Sequence, residues 1–589
     1  MVNISRRGFA AVLASTVVAL AAVGTTSVAA PKAGASDERT PGWPPYPDRT
    51  TTVQLLSFND FHGHLEADEQ TLDEESDPSG TVVGGAEHLA TKLDQLRRRA
   101  DGNSLTVAAG DLIGGSTFLS GLFHDEPTVE SMEALGLDVS SVGNHEFDEG
   151  TTELLRMQHG GCHPADGCYF PRQPYDGAEF PWLAANVEFK GSNEPLLAPV
   201  SVERVDGVRV GFIGMTTKTT PALVAPGGVD EVDFLDEVRT ANRYADRLER
   251  RGVKSIVVLL HEGGYQSGRY NGCKGISGPV VDIADRLDPQ IDAVITGHTH
   301  EPYVCTLDDP RGRPRLVTSA ASFGSVVTEV NLVVNTRSGQ VKRGLVTGKN
   351  HLVVQTTRPD AEQTAIIDKW QEIAGPIAGR VVGTVAEDIT GDSNGDRGVE
   401  TPMADLVADS ILWGTSGANG GAEIAFMNVG GVRASLLVDD ITNGEDPGEV
   451  TYAEAYEVAP FGNLLITMDL TGEQIEEVLE QQYQPIPERG SRPMLALGVS
   501  EGFSYTWDAS QPQGQRVVPG SMMLNGERLL AGETYRVATL NFLAEGGDSF
   551  TAFTQGTDEL GGAEDLANLV AYLEAHPGLT APEDRVDGL

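Results

Sequence analysis

Short apolar runs that resemble buried β-strands recur through the first half of the chain, and helical patterns lie between several of them. The helical patterns cover residues 86–99 and 237–251. The strand-like runs cover residues 53–58, 105–109, 139–142, 182–187, 208–215, 254–260 and 291–296. Because strands alternate with helices, the pattern predicts an α/β domain of roughly 300 residues.

Five of these runs are followed within two residues by Asp, Asn or His. The side chains concerned are Asp60, His62, Asp111, Asn144, His261, His298 and His300. In α/β sheets, ligand sites lie at the carboxyl ends of strands, so we expect these side chains to converge on one spot. Asp60 and His62 are two residues apart, as are His298 and His300, and such pairs share a face in an extended segment. This mixture of oxygen and nitrogen ligands predicts a site for two divalent metal ions.

The first residues have the pattern of an export signal. Residues 5–9 (Ser-Arg-Arg-Gly-Phe) form a twin-arginine block, and an apolar Ala- and Val-rich stretch follows up to about residue 30. We predict a signal over residues 1–35, with an uncleaved membrane anchor as the alternative. Residues 36–50 are rich in Pro and are predicted to form a linker. The mature chain is therefore expected to be secreted, without a stable membrane association.

The formal net charge of −44 limits the partners of the chain. Such an acidic protein repels the nucleic acid backbone and anionic membranes at long range, so we expect no nucleic acid partner. An anionic small molecule would have to meet a local concentration of positive charge, supplied by metal ions or by a few Arg side chains.

Four cysteines in an exported chain favour disulfide bonds. They are Cys162, Cys168, Cys273 and Cys305. The simplest pairing joins residues 162 and 168 and residues 273 and 305, but the sequence alone allows three pairings.

A second set of motifs lies beyond residue 380. It comprises Arg397, the segment 428–433 (Asn-Val-Gly-Gly-Val-Arg), the segment 460–463 (Pro-Phe-Gly-Asn) and the segment 541–548 (Asn-Phe-Leu-Ala-Glu-Gly-Gly-Asp). With the first set, these motifs make residues 52–560 resemble the exported 5′-nucleotidase/UDP-sugar hydrolase family, which carries a calcineurin-like metallophosphoesterase domain.

The resemblance implies an α/β fold with an N-terminal β-sandwich flanked by helices, followed by a second, α+β, substrate-binding domain. We assign residues 51–360 to the metallophosphoesterase domain and residues 381–589 to the 5′-nucleotidase C-terminal domain. Residues 361–380 are expected to form a connecting helix and hinge, because residues 364–377 have an amphipathic helical pattern.

The resemblance also implies a role for each site residue. One metal ion would be held by Asp60, His62, Asp111 and His300, and a second by Asp111, Asn144, His261 and His298. Zinc is the first expectation, and manganese, cobalt and magnesium are alternatives. His145, paired with Asp148, would stabilise charge on the transferring phosphoryl group.

The motifs of the second domain imply a nucleotide pocket. Arg397 and Arg433 would bind the substrate phosphate, which Arg can do through two parallel hydrogen bonds. Phe461 and Phe542 would stack on the base, and Asp548 would accept hydrogen bonds from ribose. Asn428 and Asn463 complete the set of expected substrate-binding residues.

Together these features predict a secreted enzyme that releases phosphate from nucleoside 5′-phosphates by attack of a metal-activated hydroxide. Hydrolysis of UDP-sugars or of dinucleotide pyrophosphates is the alternative within the same fold. A nucleotide-binding surface protein without catalytic activity is the alternative from another class. The sequence leaves open the preferred nucleotide, the native metal and the oligomeric state.

Overall fold

The computed structural model describes residues 49–589 except 69, 101, 165, 171, 225–227, 392–395, 443, 486–488, 490 and 491. The predicted export signal and nearly all of the predicted linker lie outside the described residues. In the part of the chain that is described, no helix has both the length and the apolar character that a membrane span requires.

Two six-stranded sheets form the centre of the first domain. Its strands are β1 (Thr50–Phe58), β2 (Ser104–Ala109), β3 (Val139–Ser141), β4 (Trp182–Leu183), β5 (Val187–Phe189), β6 (Val200–Val205), β7 (Val208–Thr216), β8 (Val232–Phe234), β9 (Ser255–His261), β10 (Ala293–Thr296), β11 (Pro302–Asp308), β12 (Pro314–Ala320), β13 (Val326–Asn335) and β14 (Thr347–Leu352). One sheet has the order β14-β13-β1-β2-β3-β4 and the other has the order β11-β12-β10-β9-β7-β6. The central strands of each sheet run parallel, so their carboxyl ends share one edge.

Helices cover the outer faces of both sheets. They are α1 (Ala86–Arg97), α2 (Phe118–Gly121), α3 (Glu126–Ala134), α4 (Gly150–His159), α5 (Glu237–Arg250) and α6 (Pro279–Arg286). Fully buried side chains such as Val53 and Val107 from one sheet pack against Phe212 and Val257 from the other. The layers therefore run helix, sheet, sheet, helix, which confirms the predicted β-sandwich flanked by helices.

The predicted strand over residues 182–187 is shorter in the structure. β4 ends at Leu183, and the chain leaves the sheet before β5 begins at Val187. The side chain of Asn186 explains this departure, because its amide donates to the carbonyl oxygens of Thr216 and Leu235. Asn186 lies inside the predicted run, but the sequence does not show that its side chain bonds to the backbone of Thr216 and Leu235.

The predicted connecting helix is α7 (Ala361–Ala378). The carboxylate of Asp360 caps it by accepting from the backbone N–H groups of Glu362 and Gln363. Its apolar side, including Ile367 and Trp370, is buried in the core of the first domain. The helix is thus attached to the first domain, and the chain enters the second domain after its last residue.

The second domain combines a five-stranded mixed sheet with a smaller four-stranded sheet. Its strands are β15 (Val381–Thr384), β16 (Ile424–Asn428), β17 (Glu449–Thr451), β18 (Leu464–Thr471), β19 (Leu497–Val499), β20 (Phe503–Thr506), β21 (Met523–Leu524), β22 (Glu527–Arg528), β23 (Thr534–Leu540), β24 (Thr557–Glu564) and β25 (Val586–Asp587). The orders are β19-β16-β23-β18-β24 and β22-β21-β20-β25. This arrangement confirms the predicted α+β class.

Five helices complete the second domain: α8 (Pro402–Thr415), α9 (Tyr452–Val458), α10 (Gly472–Glu480), α11 (Asn541–Ala544) and α12 (Asp565–Ala575). Thr401 caps α8 by accepting from the N–H of Ala404, and Pro402 occupies the first turn. Thr471 and Gln474 form a capping box at the start of α10.

Both predicted disulfide bonds are formed. Cys162 pairs with Cys168, and Cys273 pairs with Cys305, with Cα–Cα distances of 4.6 and 5.1 Å.

Candidate active site

The predicted metal ligands meet at the shared carboxyl edge of the two sheets. Asp60, His62 and His300 form one group, and Asp111, His261 and His298 form another. Within each group, the potential ligand atoms lie within 4.8 Å of one another. The Oδ1 atom of Asn144 lies 3.2 Å from His261 Nε2 and 3.0 Å from His298 Nδ1, which places it with the second group.

Asp111 lies between the two groups. Its Oδ2 atom is 2.8 Å from Nε2 of His261 and 3.7 Å from Nε2 of His62. Its Oδ1 atom accepts a hydrogen bond of 2.9 Å from the backbone N–H of His145. A single carboxylate therefore contacts both clusters of ligand atoms.

The backbone is not extended at five of the seven predicted ligands, which corrects one physical reason behind the prediction. The φ angle is 50° at Asp60, 48° at His62, 50° at Asp111, 74° at His298 and 60° at His300. These left-handed conformations are uncommon in residues other than Gly and concentrate at functional sites. The paired ligands therefore face the site because the backbone turns, and not because side chains alternate along a strand.

Two positions beside the ligands require glycine, because a Cβ atom would clash with neighbouring atoms. A Cβ atom on Gly143 would lie 2.1 Å from Oδ1 of Asp111. Gly110 has a φ of +84°, and its Cβ would lie 2.5 Å from the nitrogen of Gly143. The Gly-Asp and Gly-Asn-His blocks of the sequence thus have a steric basis at these two positions.

Neighbouring groups hold the ligands in place. The outward Nδ1 atoms of His62 and His261 lie 2.7 and 2.8 Å from the carbonyl oxygens of Gly114 and Ala109. Such contacts fix the ring orientation and leave Nε2 facing the site.

The carboxylate of Glu146, which the sequence interpretation missed, accepts from the backbone N–H groups of Asp111, Leu112 and Gly143. Burial and the nearby Asp111 raise the pKa of Glu146 to about 7. The position of Glu146 between Asn144 and Asp148 in the sequence was the only signal that could have identified it.

The ligand set fits divalent metal ions. The Nε2 atom of His62 is buried and has no hydrogen-bond partner among the described residues. Burial lowers the pKa of His62 and of His298 well below the ordinary value, and it also lowers the pKa of His300. Neutral imidazole is the form that binds metal, and its mixture with carboxylate and amide oxygens suits borderline transition ions.

His145 and Asp148 form the predicted pair beside the metal ligands. Nδ1 of His145 lies 2.8 Å from Oδ2 of Asp148. Burial alone would lower the pKa of His145, but Asp148 and Asp111 outweigh it and raise that pKa. This pair can therefore hold a positive charge at the edge of the ligand cluster.

All seven predicted substrate-binding residues line one cleft, which also contains Asp111, His145 and His298. They are Arg397, Asn428, Arg433, Phe461, Asn463, Phe542 and Asp548. The amide of Asn428 donates to Oδ2 of Asp548 over 2.9 Å, and the amide of Asn463 donates to Asp565 over 3.2 Å.

Two further arginines of the second domain line the same cleft, and the sequence interpretation missed both. Arg489 donates to the carbonyl oxygens of Gln482 and Asp548. Arg492 donates across the domain boundary to the carbonyl oxygen of His298, over 3.3 Å. No recognisable motif surrounds Arg489 or Arg492 in the sequence. The only available signal was a positively charged residue in a loop.

Four guanidinium groups line the cleft, those of Arg397, Arg433, Arg489 and Arg492. Burial lowers the pKa of Arg397, and the positive charges of Arg492 and Arg433 lower it further. Within residues 49–589, outside the gaps given above, no carboxylate forms a salt bridge within 4.0 Å of Arg397, Arg433 or Arg492. These guanidinium groups therefore offer local positive charge to an anionic ligand in an acidic protein.

Two family models match the chain. The calcineurin-like phosphoesterase model matches residues 54–302, and the model of the 5′-nucleotidase C-terminal domain matches residues 381–555. Calcineurin-like phosphoesterases use divalent metals, and the Asp and His groups described above could hold them.

Among curated relatives, the endonuclease YhcR of Bacillus subtilis is 32% identical over 537 residues, which cover 90% of this chain and 40% of that protein. A snake venom 5′-nucleotidase of Gloydius brevicauda is 26% identical over 533 residues, covering 85% of this chain and 82% of that protein. The chain spans 40%, 64% and 33% of the length of the first three curated relatives.

A solved structure shows the same architecture over both domains. The 5′-nucleotidase precursor from Thermus thermophilus has a TM-score of 0.72 and 29% sequence identity. The similarity covers 91% of this chain and 99% of that one. The chain therefore belongs to the family in which a calcineurin-like phosphoesterase domain is combined with a 5′-nucleotidase C-terminal domain.

Proposed function

We propose that this protein is an exported 5′-nucleotidase that releases phosphate from nucleoside 5′-phosphates with the help of two divalent metal ions. One observation carries the proposal: four of the seven expected metal ligands of the first domain (Asp111, Asn144, His298 and His300) and all the expected nucleotide-binding residues of the second line a single cleft. A nucleotide bound there could reach both sets of side chains at once, so its phosphate and its base could be recognised together.

Asp60, His62, Asp111 and His300 are proposed to hold one ion, and Asp111, Asn144, His261 and His298 the other. Zinc is our first expectation and manganese the second, because the ligands mix imidazole with oxygen. When bound, such ions supply Lewis acidity and lower the pKa of a coordinated water. The protein's part is to fix the ligands through Glu146 and the carbonyl groups of Gly114 and Ala109.

His145 is proposed to act on the phosphoryl group as a hydrogen-bond donor. Asp148 contacts Nδ1 of His145, so Nε2 remains available to the substrate, and the raised pKa of His145 keeps a proton on the ring. The charge that develops on the transferring phosphoryl oxygens would then be stabilised by a donor that is already oriented.

Arg397 and Arg433 are proposed to bind the phosphate, since both line the cleft and neither has a carboxylate partner among the described residues. Phe461 and Phe542 would stack on the base, and Asp548 would accept from the ribose hydroxyls. Asn428 holds Asp548 by the hydrogen bond described above. Asn463 and Asn428 would contact the edge of the base.

A substrate panel combined with metal analysis tests this proposal. Purified protein should release phosphate from AMP and other nucleoside 5′-phosphates, and it should leave single-stranded DNA intact. Asp111→Ala should lower kcat by at least about a thousandfold, because it removes the carboxylate that contacts both ligand clusters. His159→Ala, an exposed histidine on α4, is the control and should retain full activity. Undiminished AMP hydrolysis in Asp111→Ala, or none in the native protein, would refute the proposal.

Hydrolysis of a pyrophosphate bond in UDP-sugars or dinucleotides is a second candidate. The observation in its favour is the number of guanidinium groups at the cleft: Arg489 and Arg492 line it besides Arg397 and Arg433, and a single phosphate needs fewer positive charges. Rates with UDP-glucose and NAD, compared with AMP under the same conditions, decide between the two candidates.

We also propose that the second domain moves relative to the first during turnover. Because α7 is buried in the first domain up to its end, the bend would lie at residues 379 and 380, inside the predicted hinge of residues 361–380. Small-angle scattering should then give a larger radius of gyration without nucleotide than with it. Identical values would contradict the movement.

Export is the remaining part of the proposal. It is supported by the twin-arginine block of residues 5–9 and by the two disulfide bonds, which persist in oxidising compartments. Replacing Arg6 and Arg7 with Lys should retain the protein inside the producing cells, and unchanged secretion would contradict a twin-arginine route.

A further inference from the structure

We propose that His124, Glu149 and His163 form a separate divalent-metal site, outside the cleft. The three residues come from different parts of the first domain. His124 follows α2, Glu149 precedes α4, and His163 lies in the loop that the bond between Cys162 and Cys168 closes. None of the three is among the ligands proposed for the catalytic ions.

The ligand atoms are already close together. Nδ1 of His124 lies 2.9 Å from both carboxylate oxygens of Glu149, and Nε2 of His163 lies 3.8 Å from one of them. One atom from each residue falls within a set whose members are all within 4.8 Å of one another. Two imidazole nitrogens and a carboxylate are a common ligand set for zinc in sites that keep an open position.

Asp166 occupies the position of an outer partner. Its Oδ2 atom lies 2.8 Å from Nε2 of His124 and 3.6 Å from Nδ1 of His163, the ring nitrogens that face away from Glu149. Metal-binding histidines usually donate their second N–H to a carboxylate in this way. In the structure the backbone N–H of Asp166 donates to Nδ1 of His163 over 3.2 Å. Metal on Nε2 would move the ring proton to Nδ1, and a bond from Nδ1 to the carboxylate would replace this one.

The geometry is held by the backbone and by the rings themselves. The two imidazole rings are stacked, with centroids 3.7 Å apart and planes at 24°. His124 adopts a left-handed conformation with a φ of 48°. His163 and Gly167 exchange two backbone hydrogen bonds of 3.0 Å, which narrow the loop that presents His163 and Asp166.

A cluster held only by protons is the competing explanation: against the effect of burial, Glu149 and Asp166 raise the pKa of His124 to about 9, so a charged His124 alone would also bind both carboxylates. Two stacked imidazole rings repel each other when both are protonated, because the positive charges face one another at short range. A divalent ion at the Glu149 end lets both rings stay neutral and keeps their outer protons on the side of Asp166. Imidazole with carboxylate favours zinc or another borderline transition ion over magnesium and calcium.

Counting bound metal tests the proposal without using activity as the readout, so the result does not depend on whether the chain cleaves nucleotides. The full-length protein, its His163→Ala variant and its Glu149→Gln variant are saturated with Zn²⁺, freed of excess ion and analysed by inductively coupled plasma mass spectrometry. Each variant should hold one zinc ion fewer per chain than the native protein. His159→Ala, which removes an exposed histidine from α4, is the control and should keep the native count.

A milder variant keeps the test valid if the others fold poorly. Asp166→Asn removes no metal ligand, and it should weaken the affinity for one zinc ion by about 10–100-fold in competition with a chelator. Equal zinc counts in the native protein and in folded His163→Ala and Glu149→Gln would overturn the proposal. An unchanged chelator titration for Asp166→Asn would overturn the part assigned to Asp166.

Discussion

The rings of His145 and Phe461 lie nearly parallel, with centroids 6.1 Å apart and planes at 23°, although the two residues belong to different domains. A Cβ atom on the adjacent Gly115 would lie 3.4 Å from the Phe461 ring, so the ring fits closely against the first domain. A residue proposed to stack on the base thus contacts a residue proposed to act on the phosphate. The contact exists only when the domains are together, and it links substrate recognition to domain position.

Phe461→Ala should therefore affect nucleotides more than simple phosphate esters. We expect KM for AMP to rise about tenfold, because stacking on one base is worth roughly 1–3 kcal/mol. The KM for p-nitrophenyl phosphate, which lacks a base and ribose, should change less than twofold. Steady-state kinetics with both substrates provide the measurement, and an equal loss on both would show that Phe461 does not recognise the base.

His145→Ala should lower kcat for AMP by about 10²–10³-fold, since it removes a donor that is oriented toward the developing charge. The metal content should stay at the native value, because His145 is not among the proposed ligands. Metal analysis and kinetics on the same preparation separate the two effects. A loss of bound metal together with activity would instead identify His145 as a ligand.

Gly143→Ala should disrupt the proposed metal centre through a steric clash. Its Cβ would lie 2.1 Å from Oδ1 of Asp111 and would push that carboxylate away from the ligand clusters. We expect at least a tenfold loss of metal affinity and a lower Tm. Gly344→Ala is a matched control, because the structure leaves open space around a Cβ at that position. Native affinity in Gly143→Ala would show that Asp111 can move without cost.

Arg492→Ala should show whether the cleft binds substrates with one phosphate group or with two. If Arg492 binds a second phosphate, kcat/KM for UDP-glucose or NAD should fall about tenfold more than kcat/KM for AMP. Arg204→Ala, an exposed arginine on β6, should leave both values unchanged. A uniform loss across all substrates would mean that Arg492 acts on domain closure, through its bond to the carbonyl oxygen of His298.

Glu457→Gln should make the protein more stable at high pH. Burial, together with the charges of Asp68 and Glu66 in the first domain and of Asp440 and Glu454 in the second, raises the pKa of Glu457 to about 8 from an ordinary 4.5. The folded state therefore keeps a proton that the unfolded state loses, and stability falls as pH rises from about 4.5 to 8.

Glutamine in place of Glu457 removes this loss. The difference in stability between the variant and the native protein should be small near pH 4.5 and should grow to about 1–3 kcal/mol at pH 8 and above. Thermal unfolding across this pH range measures the difference. Glu473→Gln, at an exposed position on α10, is the control and should show no such trend. A constant difference across the range would contradict the assigned cause.

The sequence was sufficient to predict where the candidate metal ligands would meet, because parallel strands bring their carboxyl ends to one edge. It was not sufficient to predict how they would face the site: the extended geometry expected for Asp60 and His62 is replaced by left-handed turns. Alternation is a property of strands, and it fails where the strand has already ended.

The sequence interpretation missed Glu146, Arg489 and Arg492 because their contacts depend on the tertiary structure. Glu146 accepts from backbone N–H groups, and nearly every residue has one, so the sequence does not show which of them it contacts. Arg489 and Arg492 reach the cleft from a loop after α10, and the position of such a loop depends on tertiary packing rather than on local pattern. The proposed substrate-binding residues were identified through family motifs, and no periodicity would have brought them together.

The left-handed turns at five of the proposed ligands have a consequence for how the protein acquires its ions. Small metal domains often fold only when the ion arrives, so their uptake waits for a rearrangement of the chain. Here the two sheets and their helices already impose the unusual backbone angles, and the ligand atoms lie within 4.8 Å of one another in each group. Chelation should therefore leave a folded apoprotein that takes its ions back in one fast step, a useful property where free metal is scarce.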